Sequence, residues 1–234
     1  MKRKKVLREY YNSVTYSEHD LALLKNKRTT AIKLLNLFAS EGYNPFIHGS
    51  VARGDVHESS DIDIIFMQMI PSFQIEFILN KNGIKNYFRE IIMATPLDSI
   101  KLYIHLSELE SITIPLSKID KKYLEFYNYG GKVDLNQLNS NIRVAGIDKR
   151  LVLIMPNSEG YEESSIIGNE AFAAKKVGVS INTVNERIKV LLRREKYGKT
   201  GVFLKRKLQM DESTEEILKE LAKRKSIVRK KLLG

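Results

Sequence analysis

Apolar residues recur at helical spacing between about Ser17 and Gly42, with Leu21, Leu24, Ile32, Leu35 and Phe38 among them. Ser17 with Asp20 three residues on resembles a capping box with Asp in the Glu position, and Gly42 is a stop signal. The pattern then changes to short extended runs. "NPFIHGS" predicts a strand ending in a turn, "VARGDV" a short helix or tight connection, and "DIDIIFMQM" a buried strand. Pro71 opens a second helix, "PSFQIEFILNKNG", closed by Asn82 and Gly83. "YFREIIMATP" reads as a strand ended by Pro96, and "SIKLYIHL" and "SITIPLSKI" alternate around "SELE" as a β-hairpin. "KKYLEFYNYGGKVDLNQL" gives a short helix and a turn at Gly130 and Gly131.

A loose boundary between about Gly130 and Asn141 predicts one domain over 1–135 and a second over 141–234. The second opens with a strand and polar loop, "KRLVLIMPNSEGYEESSI", and closes with the helix "DESTEEILKELAKRKSIVRKKLL". Between them run a helix, a Gly-containing turn, a second helix and a basic hairpin around Gly198 and Gly201, the layout of a winged helix-turn-helix.

Composition narrows the functional classes. A chain of 234 residues, 43% hydrophobic and 29% charged, can build a packed core. No run approaches the roughly 18 apolar residues of a membrane span, and no apolar stretch follows the basic start "MKRKKVLREYYNS". The expectation is a cytoplasmic protein without a membrane partner. With no cysteine, a metal would be held by carboxylates or histidine, and carboxylates point to Mg2+ or Mn2+. Residues 141–234 hold 21 Lys+Arg against 12 Asp+Glu, out of 39 against 28 for the whole chain. That bias suggests a polyanionic partner reached through the C-terminal part, with solubility as the alternative reading of the lysines.

The sharpest chemistry lies in "FIHGSVARGDVHESSDIDIIF". Strand alternation puts Asp61 and Asp63 on one face and Ile62 and Ile64 on the other. Two carboxylates side by side repel unless a cation sits between them, and magnesium takes one or two carboxylates plus water and substrate phosphates. Gly49 and Ser50 stand where a strand ends and a helix begins. Glycine admits a close phosphate, Ser50 offers an amide and a hydroxyl, and the helix start faces the anion. Arg53, one turn on, is placed to meet a phosphate oxygen.

Taken together, "HGSVARGDVHESSDIDI" resembles the signature of the DNA polymerase beta-like nucleotidyltransferase superfamily, especially the small minimal nucleotidyltransferases and archaeal CCA-adding enzymes. The match covers about residues 44–66 closely, and the layout stays compatible to about Pro96. The resemblance implies an α/β (α+β) fold with a mixed β-sheet backed by helices, and two-metal transfer of a nucleotidyl group from an NTP. It further implies that Gly49 and Ser50 bind the triphosphate and that Asp61 and Asp63 ligate the metals. "HGSVARG" also resembles antitoxin-type members that adenylylate a protein. The family pattern places a third carboxylate on a neighbouring strand, for which Glu90 is the first candidate, a Glu after Arg89 where Asp after an aliphatic residue is commoner. Glu76 would serve if "FQIEFIL" were a strand, and Asp98 if the third strand began after Pro96. His48 reads as a strand-end residue near the site, and His57 and His105 carry no partner pattern.

In the C-terminal part, Ala174, Gly178 and Ser180 mark a first helix, a turn and an N-cap, with Val184, Ile188 and Leu191 on the inner face of the second helix. Asn182, Thr183, Asn185, Arg187 and Lys189 would face outward, where Asn and Arg can read base edges. Lys196, Lys199, Lys205 and Arg206 would be wing residues on the phosphate backbone. This part resembles bacterial and archaeal winged-helix DNA-binding domains. The whole predicts an NTP- and magnesium-dependent enzyme transferring to a hydroxyl of RNA, a protein or a small molecule. The alternative is a DNA-binding regulator whose nucleotidyltransferase domain senses a nucleotide or is inactive.

Overall fold

A computed structural model describes residues 5–85, 87–198 and 201–233. The chain starts with β1 (Tyr11–Thr15), α1 (Glu18–Ala39), β2 (Phe46–His48), the one-turn α2 (Ser50–Arg53), β3 (Ile62–Ile65) and α3 (Ser72–Lys81). It continues through β4 (Phe88–Met93), β5 (Lys101–His105), β6 (Glu110–Pro115), α4 (Lys121–Gly130), β7 (Lys132–Val133) and α5 (Leu135–Asn139). Then come β8 (Gly146–Ile147), β9 (Val152–Pro156), β10 (Gly160–Ser165), α6 (Glu170–Val177) and α7 (Ile181–Tyr197). The chain closes with β11 (Leu204–Leu208), α8 (Thr214–Arg224) and α9 (Ser226–Leu233).

The fold is a mixed α+β arrangement. A seven-stranded mixed sheet runs β11-β4-β5-β6-β3-β2-β7, and a four-stranded antiparallel sheet runs β1-β10-β9-β8. In the larger sheet β3 and β6 are parallel and the other pairs antiparallel. One face is apolar because the strands alternate: Ile47, Ile64, Ile112 and Ile104 stand in one row across four strands. They join Leu35 and Phe38 of α1 and Ile75 and Leu79 of α3 in the main core. Ser17 and Asp20 form the expected capping box at the start of α1. α4 lies on the other face, where Tyr123 and Tyr127 cover Ile65 and Tyr123 donates to the Phe66 carbonyl at 2.9 Å.

Two expectations change here. Residues 204–208 do not form a wing on the second helix of the turn motif. They pair antiparallel with β4 as the edge of the large sheet, Leu204 opposite Met93 and Leu208 opposite Arg89. Nor do the elements divide at 135–141, since β1 pairs with β10 and β11 with β4. The physical reason is that an unpaired, largely apolar β4 edge needs covering, and the alternating β11 sequence "LKRKL" supplies it. α8 secures the same return, because Glu215 accepts from the amide and hydroxyl of Ser72 at the start of α3 at 3.2 and 2.9 Å. Helix α6, the left-handed Gly178 and the Ser180 N-cap of α7 do form as expected, with Ala174, Val184 and Leu191 buried against the smaller sheet.

Arg89 fastens the returning segment to the core face. It meets both Glu76 oxygens at 2.9 and 2.8 Å and donates to the carbonyls of Gln209, Met210 and Glu212. Removing one partner of a buried pair strands the other. Arg89→Ala is therefore expected to lower the unfolding free energy by about 3 kcal/mol, measured by urea titration. A loss under about 0.5 kcal/mol, the range of an ordinary surface change, would show that β11 holds without it.

Candidate functional site

Ile62 and Ile64 fill the core, so Asp63 must face the other side of β3. Asp61 precedes the strand and is exposed. β2 runs antiparallel beside β3 and ends with His48 opposite Asp63, which brings the Gly49 turn to the acidic end of β3. Gly49 has φ of 85°, a left-handed conformation that favours glycine, and a Cβ there would meet nothing within 4 Å. Its amide donates to the Gly131 carbonyl at 2.9 Å. Ser50 begins α2, and its hydroxyl has no protein partner among the described residues. Gly49 and Ser50 thus follow the end of β2 beside Asp63, with Asp61 two residues before it.

Asp63 is half-buried, and its one donor among the described residues is the Ser111 hydroxyl, 2.7 Å from Oδ1. Burial raises its pKa most, the Ser111 bond opposes that, and the neighbouring charge of Asp61 raises it further. Lys149, between β8 and β9, pulls it back down. Such a carboxylate suits a hard divalent cation, which would relieve both desolvation and repulsion. Among the described residues no group of three or more His, Asp or Glu is placed to hold a metal. A cation there would have two carboxylates from the described residues, Asp61 and Asp63, and the rest of its shell would fall to water or other oxygens.

Arg53 is not available to a phosphate. It is buried, forked onto both Asp55 oxygens at 2.9 Å, and donates to the Gly130 carbonyl at 2.6 Å. Glu90 does not join the aspartates. The order β4-β5-β6-β3 places three inter-strand steps between them, about 14 Å. Glu90 instead forms an ion pair with Lys205 at 2.9 Å and lies 3.3 Å from His105 Nε2. Opposite Asp63 on the adjacent β6 stands Ser111. Glu76 is on the reverse face with Arg89, and Asp98 is held by Thr95 and Lys122.

The second helix of the turn motif is partly spoken for. Glu125 of α4 accepts from Ser180 at 2.7 Å and from Thr183, while the Arg187 guanidinium lies over the rings of Phe126 and Tyr129 at 5.1 and 5.8 Å. Thr183 and Arg187 therefore face α4 rather than a groove, and burial depresses the Arg187 pKa. Asn182, Asn185 and Lys189 remain exposed. Lys196 is exposed in the last turn of α7, Lys205 sits on β11, and Lys199 lies outside the described residues.

The structure adds groups that the pattern did not single out. Lys101 is caged by Tyr123, Phe126 and Tyr127 at 4.8–5.2 Å, and burial pushes its pKa down to about 8. His48 packs against Phe126 and Tyr127 and against Gly130, where any Cβ would meet Nε2 at 2.2 Å. Burial first, then Arg53, Lys101, Lys149 and Arg187, push its pKa down to about 3, so it is neutral. Lys149 is exposed and makes no ion pair among the described residues. A cavity of about 520 Å³ lies on the reverse side, lined by Leu23, Lys27, Ile62, Glu108 and Glu110. Among the described residues no helix is long and apolar enough to cross a membrane. No protein-family model, curated protein or solved structure matches the chain.

The raised Asp63 pKa has a definite sign. Its penalty is absent below the ordinary carboxylate range and grows as pH rises through the folded value. Asp63→Asn is expected to raise the metal-free melting temperature at pH 7 by a few degrees, to lose that gain near pH 3, and to abolish stabilisation by magnesium. Calorimetry at the two pH values checks this, and an Asp63→Asn protein no more stable than wild type at pH 7 would contradict it.

Proposed function

We propose that the protein is a magnesium-dependent nucleotidyltransferase, moving a nucleoside monophosphate from an NTP to an acceptor hydroxyl with release of pyrophosphate. The observation that carries this reading is the convergence of Asp61 and Asp63 with the open Gly49–Ser50 turn on the neighbouring strand end. It agrees with the nucleotidyltransferase resemblance of residues 44–66, and the mixed sheet with α1 and α3 behind it is compatible with that family.

In this reading Asp61 and Asp63 hold the cation, which when bound supplies Lewis-acid polarisation of phosphoryl oxygens. The Ser50 amide and hydroxyl receive the polyphosphate, and Gly49 gives it close approach. Ser111 holds Asp63 in one rotamer through its hydrogen bond. Lys149 takes the neutralising role that Arg53 cannot, since its charge already acts on Asp63 and His48. His48 is kept neutral and is not a proton acceptor for the chemistry. The alternative of a DNA-binding regulator draws on the α6–α7 turn motif, but two of its expected base-reading residues, Thr183 and Arg187, are engaged by α4.

Asp61→Ala and Asp63→Ala are each expected to abolish magnesium-dependent transfer of α-32P label from NTPs to lysate components, with folding intact by circular dichroism. Lys149→Ala is expected to weaken NTP binding about ten-fold, the value of one charge-assisted contact. Wild-type transfer rates in both aspartate variants would end the proposal.

A further inference from the structure

Resting on that reading, the geometry points to the acceptor: we infer that it is the end of a single-stranded nucleic acid, stacked on Phe88 and His105. The sheet order puts β2 on one side of β3 and β6, β5 and β4 on the other. Displacement at phosphorus needs the attacking and leaving oxygens in line. If pyrophosphate departs over Gly49 and Ser50 on the β2 side, the attacking hydroxyl approaches from the β6 side. The acceptor oxygen forms a bond to the α-phosphorus as the bond to the bridging oxygen breaks, and the hydroxyl proton leaves to solvent.

The surface on that side has a particular chemistry. In register with Asp63, one row continues through Ser111 and His105 to Phe88. All four stand at the same end of the sheet. The Phe88 and His105 rings are parallel, with centroids 4.3 Å apart and planes 10° apart, and the Tyr103 ring lies 6.2 Å from His105 at 18°. Phe88 is nevertheless 51% exposed, an aromatic ring presented to solvent on the face that carries the aspartates. Ser111, the smallest side chain of the row, stands between His105 and Asp63. Glu90 fixes His105 through Nε2 and is itself held by Lys205. This gives the residue singled out as a third acid a different task, positioning the platform.

Past Phe88 the sheet ends in β11, whose exposed Lys207 stands opposite Glu90 on the same face. Aromatic faces beside lysines suit stacked bases and a phosphate backbone, and the chain carries a formal charge of +11. A serine or tyrosine of a folded protein would leave the ring ladder and the basic edge without a role. A duplex would present a base face only at its terminal pair.

The test uses the full chain, without metal or NTP, and ten-residue single strands of RNA and of DNA bearing 2-aminopurine at the 3′ end. Binding is expected to quench the probe, and the tighter of the two strands identifies the acceptor type. Phe88→Ala should weaken binding about ten-fold, the loss of one stacked base, and Phe88→Tyr should restore it. Phe73→Ala, which removes an exposed ring on the α3 side, should change nothing. Unchanged affinity and quenching in both Phe88→Ala and His105→Ala would overturn the inference. So would equal, Phe88-independent binding of a blunt duplex. Phe88-dependent strand binding without transfer from any NTP would uphold the platform and defeat the enzyme reading. Label transferred to protein, with no Phe88-dependent strand binding, would do the reverse.

Discussion

The alternation of β3 is the constraint from which the rest follows. Ile62 and Ile64 must enter the core with Ile47, Ile112 and Ile104, and a one-residue slip would put Asp63 among them. Burial of the isoleucines therefore turns Asp63 to the opposite face, next to Asp61, where desolvation and the neighbouring charge raise its pKa. A rigid apolar layer built on α1 and α3 thus positions a charge-frustrated site.

α4 joins that site to the rest of the chain. Its Tyr123 and Tyr127 close the sheet beyond Ile65, Glu125 receives the start of α7, and Tyr129 enters the core of the smaller sheet. Its last residue, Gly130, lies tight against His48 and beneath Gly146, where a Cβ would strike the Gly130 carbonyl at 2.6 Å. Side chains at Gly130 or Gly146 would push the two halves apart. Through this packing Lys101, Lys149 and Arg187 act on one histidine from three different segments.

Local signals in the sequence carried well. The capping box at Ser17, the Gly49 turn, the Asp61–Asp63 pair and the Gly178–Ser180 turn all follow from neighbours a few residues apart. Strand partners did not. Nothing in the spacing shows that the β5–β6 hairpin inserts between β4 and β3, and that insertion is what removes Glu90 from the aspartates. The basic "LKRKL" run reads as well for a wing as for an edge strand, because alternation identifies a strand but not its partner. The engagement of Arg53 was available locally, since Asp55 stands two residues on.

In the proposed function Asp61 and Asp63 form a cation site shared with the phosphates of an NTP. Manganese binding followed by electron paramagnetic resonance, with and without a non-hydrolysable NTP analogue, tests it most directly. The account predicts weak binding alone, tightening about ten-fold with the analogue, since phosphate oxygens complete the coordination shell, and loss of both in Asp61→Asn and Asp63→Asn. Manganese affinity indifferent to the nucleotide, or unchanged in both variants, would contradict it.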